Sequence, residues 1–169
     1  LELNPQGRGP ALLDGETVIT QSMAIAEYLE ETGPGVKLLP AGAAGRSRVR
    51  SLCQIVACDI HPLNNISVLN YLVNDMGLSD VQKMRWYQHW IAAGLGGFEA
   101  MVSDSPLTGT YCHGDELSLA DVFLIPQIYN AQRFDCDVSA YPTVMRIHDA
   151  CQELEAFQQA HPDNQPDNE

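Results

Sequence analysis

The stretch Pro10-Ala-Leu-Leu-Asp-Gly-Glu-Thr-Val-Ile-Thr-Gln-Ser22 decides the fold. Pro10 to Leu13 is a short apolar run, Asp14-Gly15 is a two-residue turn signal, and Thr17 to Thr20 is β-branched. Together they predict a β-hairpin over residues 10–20. Gln21-Ser22 then opens a helix. Met23, Ile25, Ala26 and Leu29 supply its apolar positions, and Glu27, Glu30 and Glu31 its wet face. Gly33-Pro34-Gly35 stops it. A two-stranded hairpin is marginal alone, and no further strand is evident downstream. The expectation is that upstream strands of the complete protein precede Leu1.

Residues 33–45 hold four Gly and two Pro, which is linker composition. The chain therefore divides into a hairpin plus helix at 1–33, a linker at 34–45 and an all-helical part at 46–169. Val49, Leu52, Val56, Ile60, Leu63, Ile66 and Leu69 recur every three or four residues, the mark of one buried helical stripe. Pro62 should kink or divide it. Ser79 can cap a long helix reaching about Val102. A third long helix starts at Ser118, a fourth near Pro142, and a short one covers 153–160. The Pro-, Asn- and Asp-rich tail from His161 is expected to be extended.

Composition narrows the function. The chain has 169 residues, 45% of them hydrophobic, enough to bury a core. Acids outnumber bases by 22 to 9, for a net charge of -13, which repels phosphate backbones and anionic lipid. No apolar run approaches the ~20 residues of a membrane span. The five cysteines, Cys53, Cys58, Cys112, Cys136 and Cys151, are odd in number and form no Cys-x-x-Cys pair. Neither a disulfide scaffold nor a zinc knuckle follows, and a reducing cytoplasm fits. His89, His113 and His148 show no metal spacing, and no second acid accompanies Asp59 for a two-carboxylate hydrolase.

Several constellations stand out as candidates for chemistry. Ser118-Leu-Ala-Asp121 reads as a capping box, a folding element rather than a catalytic one. Gly9-Pro10 before a strand marks a tight turn that can be cis. The Gln21-Ser22 pair offers an amide, a hydroxyl and free backbone N–H groups at a helix start, so it reads either as a plain cap or as an anion site for a carboxylate. His61 and Asn65 lie one turn apart beside Ser67 near the Pro62 break. They read as satisfied structural residues or as the rim of a cleft. Arg133, in Tyr129-Asn-Ala-Gln-Arg-Phe134, either complements its helix dipole or meets an anionic substrate. Trp86 and Trp90, at i and i+4, read as packing.

The chain resembles the zeta-class glutathione transferases. The resemblance runs through Asn4-Pro-Gln-Gly-Arg-Gly-Pro10-Ala-Leu, Gln21-Ser-Met-Ala-Ile-Ala-Glu-Tyr-Leu-Glu-Glu31, Leu38-Leu-Pro40, Asp59-Ile-His-Pro-Leu-Asn-Asn65, Leu119-Ala-Asp-Val122, Pro126-Gln-Ile-Tyr-Asn-Ala-Gln-Arg-Phe134, Tyr141-Pro-Thr143 and Gln165-Pro-Asp167. It spans nearly the whole chain in order. It implies a glutathione-transferase-like fold: a partial thioredoxin-like α/β domain, glutathione-binding, at 1–33, followed by an all-α helical bundle. It implies glutathione as cofactor, a small dicarboxylic keto acid as partner and a homodimer.

The implied site follows residue by residue. Gln21 and Ser22 hold the γ-glutamyl end. The backbone before the cis-proline pairs with the cysteinyl unit, and Gly9 stands there where the family usually has Val. His61 and the Asn65, Ile66 and Ser67 segment also meet glutathione. Arg133, with His61, meets the substrate carboxylate. The family's catalytic Ser/Cys motif is expected upstream of Leu1, so no catalytic residue is named within the chain. A chain that lacked that motif altogether is expected to be inactive. The implied activity is glutathione-dependent cis–trans isomerisation of maleylacetoacetate in tyrosine and phenylalanine catabolism. Maleylpyruvate isomerisation or general glutathione transfer is the alternative, and a non-catalytic interaction module is a third reading.

Overall fold

The computed structural model describes residues 3–166. Strands β1 (Ala11–Asp14) and β2 (Thr17–Thr20) pair antiparallel, with Ala11 opposite Thr20 and Asp14 opposite Thr17. The two loop residues are therefore Gly15 and Glu16, one position later than the Asp14-Gly15 reading. Gly15 takes φ +59° at the first loop position, a conformation glycine adopts without a Cβ penalty. Asp14 stays in the ladder, and its carboxylate accepts the Tyr28 hydroxyl at 2.7 Å.

Helix α1 (Ser22–Thr32) ends at Gly33, whose N–H returns to the Leu29 carbonyl at 2.8 Å. The Glu30 carboxylate accepts the Leu38 and Leu39 N–H groups at 2.8 and 3.1 Å, tying the following segment back to the helix. The Leu38 carbonyl then accepts the Leu119 N–H at 3.0 Å, which joins this segment to the helical part. An ion pair between Glu27 and Arg50 adds a second tie.

Helix α2 (Ala43–Gln54) begins inside the stretch expected to be linker. The predicted stripe is not one kinked helix. It passes from α2 into a π-helical segment, Ile55–Ile60, then a 3-10 turn, His61–Leu63, and restarts as α3 (Ile66–Asn74). Pro62 has no N–H to continue the ladder, and the wider π turn precedes it. Asn65 restarts the helix by accepting the Ser67 N–H at 3.0 Å and the Ser67 hydroxyl at 2.8 Å.

Helix α4 (Asp80–Ser103) opens with a reciprocal Ser79–Gln82 capping box. Helix α5 (Leu119–Arg133) follows a loop, and α6 (Pro142–Gln152) and α7 (Glu155–Ala160) complete the bundle. The tail is not extended at first: Pro162–Asn164 form a 3-10 turn. Side chains hold it, because His161 accepts the Asp163 N–H and Gln165 donates to the Gln159 and His161 carbonyls.

The core sits where α2, α4, α5 and α6 meet, around Leu52, Leu95, Phe98, Leu124, Ile128 and Ile147. Burial, reinforced by Asp121, pushes the Cys53 and Cys151 thiols up to about 12 and raises that of Cys112. These three cysteines are packing residues, protonated at neutral pH. Asp121 is fully buried at the start of α5. Its carboxylate accepts the Ser118 N–H and hydroxyl, both at 2.8 Å, and the Cys112 N–H at 2.9 Å.

One close approach fixes α4 against the π-helical segment. A Cβ at Gly94 would land on the Ile60 side chain, whereas one at Gly97 would meet nothing within 4 Å. Alanine normally stabilises a helix interior relative to glycine by up to ~1 kcal/mol. Gly97→Ala should gain about that amount in chemical denaturation. Gly94→Ala should lose about 1–3 kcal/mol, because the overlap forces Ile60 to move. Asp121→Ala, which strands two buried N–H groups, should cost about 3 kcal/mol or more in the same measurement.

Candidate functional site

A cleft of about 940 Å³ opens between the start of α1, the loop ahead of β1, the π-helical segment with its Pro62 break, and one face of α5. Gly9, Gln21, Ser22, His61 and Asn65 all line it. Residues that read separately in the sequence thus share one crevice.

The start of α1 has the chemistry that could receive an anion. Gln21 sits at φ 76°, ψ 122°, on the side of conformational space that disfavours a Cβ. Such a residue stores on the order of 1–3 kcal/mol of strain. Its side chain does not cap the helix. It donates instead to Gln6 Oε1 at 2.9 Å. No acid occupies the first turn. Among the described residues the first N–H groups and the Ser22 hydroxyl have no side-chain partner, and the helix dipole favours a carboxylate there.

The Gly9–Pro10 peptide bond is cis. Asn4 anchors the loop before it. This residue is buried, donates from Nδ2 to the Arg8 carbonyl at 2.6 Å and accepts the Gln6 N–H at 3.0 Å. The anchored loop presents Gln6 and Arg8 to the cleft. Glu30 also borders the cleft, but its carboxylate is occupied by the Leu38 and Leu39 N–H groups. A net acidic protein thus places the Arg8 guanidinium, which has no partner among the described residues, on the wall of this crevice.

On the opposite side, His61 stands at the head of the 3-10 turn. Asn65 has spent its Oδ1 on Ser67, so its amide N–H groups are the part left to meet a ligand. Ser67 does not line the cleft; it positions Asn65. Ile66 is 71% exposed and also lies off the cleft wall. Arg133, the last residue of α5, does not line the cleft either, and its guanidinium lies 5.9 Å from the centre of the Phe134 ring. It follows Leu119, Val122, Pro126 and Asn130 at helical spacing, so it continues the cleft-facing stripe one turn beyond its end.

Sequence reading missed Gln6, Arg8, Gln127 and Asn130, which also line the cleft. The Asn4-Pro5 turn with Gly7 and Gly9 was the available signal for the first two. Two amides on an otherwise apolar helix face were the signal for the others. Cys58 borders the cleft as an exposed thiol whose Sγ donates to Gln54 Oε1 at 2.6 Å. Among the described residues no group of His, Cys, Asp and Glu could hold a metal ion, and no helix is long and apolar enough to cross a membrane.

A thioredoxin-like hairpin-and-helix beside a helical bundle, with the cleft between them, defines a glutathione transferase. Residues 1–31 match the sequence model of the glutathione S-transferase N-terminal domain. A probable maleylacetoacetate isomerase of Vibrio cholerae is 48% identical over 98% of this chain and 76% of its own length. A maleylpyruvate isomerase of a Ralstonia species is 47% identical over 98% of this chain and 78% of its own. Among solved structures, the holo form of a bacterial zeta-class maleyl pyruvate isomerase superposes with a TM-score of 0.96 at 46% identity, covering 99% of this chain and 79% of that one. A maleylacetoacetate isomerase of Methylobacterium extorquens with bound malonate and glutathione gives 0.95 at 43% identity, covering 98% and 78%. The chain belongs to the zeta-class glutathione transferase family, alongside the maleylacetoacetate and maleylpyruvate isomerases.

The strain at Gln21 makes a direct prediction. Gln21→Gly should raise stability by about 1 kcal/mol in chemical denaturation, because glycine tolerates positive φ. An unchanged or lower midpoint would show that the observed backbone costs nothing.

Proposed function

We propose that this cleft binds glutathione and that the protein isomerises maleylacetoacetate to fumarylacetoacetate, as a step in tyrosine and phenylalanine breakdown. The observation that carries the reading is the convergence of Gln21, Ser22, the Gly9–Pro10 peptide, His61 and Asn65 on one cleft. The donor set suits the tripeptide. The uncapped first turn of α1 with Gln21 and Ser22 takes the γ-glutamyl carboxylate. The Gly9 backbone, which has no hydrogen-bond partner among the described residues, pairs with the cysteinyl unit as an extended strand would. His61 and Asn65, with Ile66 and Ser67 behind them, complete the site from the helical side.

Glutathione, when bound, supplies a thiol that adds reversibly to the cis double bond and so lets it rotate. The chain's part is to hold the diacid in place. Arg8, on the cleft wall, and Arg133, one turn beyond it, take the two carboxylates. Arg133 does so by leaving the Phe134 ring. Charge-assisted hydrogen bonds of this kind contribute about 1.5–3 kcal/mol each.

The reading extends to organisation. Residues 1–33 form the glutathione-binding unit, 34–45 the connection and 46–169 the helical unit. The molecule works as a homodimer in the cytoplasm. Exposed apolar side chains along α3, the turn after it and the start of α4, Ile66, Tyr71, Met76 and Val81, favour a second copy as partner.

Turnover of maleylacetone, maleylpyruvate and dichloroacetate with glutathione tests the activity. Preference for the first supports the proposal, and preference for the second moves it to maleylpyruvate isomerisation. Absence of turnover on all three, with glutathione bound normally, returns the protein to a binding role. Two substitutions test the site. Ser22→Ala should weaken glutathione binding about tenfold by calorimetry. Arg133→Ala should raise KM for the keto diacid about tenfold and leave that for glutathione unchanged.

A further inference from the structure

Hydrogen bonds run in series from the end of α1 to the beginning of α5. Both Glu30 carboxylate oxygens are used. One accepts the Leu38 N–H at 2.8 Å and the other the Leu39 N–H at 3.1 Å. The Leu38 carbonyl accepts the Leu119 N–H at 3.0 Å. Leu119 is the first residue of α5, so its N–H has no acceptor within its own helix. The Leu39 N–H and the Leu38 carbonyl belong to one planar peptide group. That rigid unit therefore carries α1 on one edge and α5 on the other. Each bond polarises the next, which strengthens the series.

This bridge lies along the cleft, because Glu30, Leu38 and Leu119 all line it. Ser22, at the start of α1, stands about 12 Å from Glu30 along the helix axis. Fixing the last turn of this helix fixes where its first turn faces. Glutamate is otherwise a poor choice at position 30. An acid in a last turn opposes the helix dipole, and no basic residue of that turn offsets it. Lys37 supplies the missing cation from the following segment, donating to the Glu30 and Gly33 carbonyls. What a carboxylate brings is two acceptor oxygens, enough for two successive N–H groups.

We propose that Glu30 is a positioning residue: through the Leu38–Leu39 peptide it sets the separation of α1 and α5, and so aligns glutathione with the keto diacid. This rests on the isomerase reading of the cleft. Glutathione is held at the start of α1, and Arg133 at the end of α5 takes a carboxylate of the diacid. The two reactants thus hang on the two helices that the bridge joins. An error of 1 Å in their approach costs up to about a hundredfold in rate. Glu30 itself touches neither reactant and transfers no proton.

The test compares Glu30→Ala, Glu30→Gln and Glu30→Asp in the intact protein. Val144→Ala, a core truncation in α6 that lines no part of the cleft, controls for lost stability. Amide exchange is read without ligand. In Glu30→Ala the Leu39 and Leu119 amides should exchange about tenfold faster. The Lys83 amide, in the first turn of α4, should keep its rate. Isomerase kcat per folded molecule should then fall about ten- to a hundred-fold. Glu30→Gln keeps one acceptor oxygen and should lose less; it carries the comparison if Glu30→Ala does not fold. Glu30→Asp keeps the charge but is one methylene short, and should lose as much as Glu30→Ala. Val144→Ala should keep its kcat. An unchanged Leu119 exchange rate, an undiminished kcat in Glu30→Ala, full activity in Glu30→Asp, or an equal loss in Val144→Ala overturns the assignment. An unaltered protein that neither binds glutathione nor isomerises sinks the isomerase reading alone, and Leu119 exchange still decides whether Glu30 holds α1 to α5.

Discussion

The buried Asp121 carboxylate is the constraint on which the architecture turns. It gathers the Ser118 N–H and hydroxyl and the Cys112 N–H into a solvent-free corner. A charge in such a place is tolerated because its lone pairs are filled. What it secures is the direction of α5. That helix is at once the middle of the core, through Leu124 and Ile128, and the far wall of the cleft, through Phe123, Pro126, Gln127 and Asn130. An error in its axis would be felt on both sides. The same carboxylate helps keep three neighbouring thiols protonated, so the interior is chemically quiet next to a site that handles thiols.

Core and cleft use opposite solutions to the same problem of buried polarity. In the core the Asp121 carboxylate and the Ser118 and Cys112 groups that meet it satisfy one another within the protein. On the cleft side two groups have no partner among the described residues: the first N–H groups of α1 and the Gly9 backbone. Deficits of this sort are uncommon in a folded chain, and their concentration in one crevice is what separates a site from a mere groove. The strained Gln21 backbone belongs to the same pattern, since strain collects where a ligand has to be met.

Much of the fold was legible because its signals are local. The hairpin, the caps at Ser79 and Ser118, the stop at Gly33 and the break at Pro62 each depend on residues within a turn of one another. The hairpin turn came out one residue late because register follows the ladder, and Asp14 still has Thr17 to pair with. The 3-10 turn after α7 escaped because Gln165 and His161 side chains hold it, and composition alone says only that the tail is polar. The site was half legible. Gln21, Ser22, His61 and Asn65 stood out as polar groups at helix boundaries. Gln127 and Asn130 did not, because helical spacing reports which positions face inward and not whether the inside is packed or hollow. Arg133 entered the site through the family resemblance, and it stands one turn beyond Asn130, where the described cleft wall ends.

The contact between Gly94 and Ile60 gives the molecule a handle on its own chemistry from behind. Ile60 is bonded to His61, so the place where α4 presses on the π-helical segment sets where the imidazole stands. Natural variation at that crossing can therefore retune the crevice without altering any ligand-touching side chain. Drift in substrate preference among proteins of this fold would then leave its trace in the small residues of a distant helix, and a comparison confined to the pocket would overlook its origin.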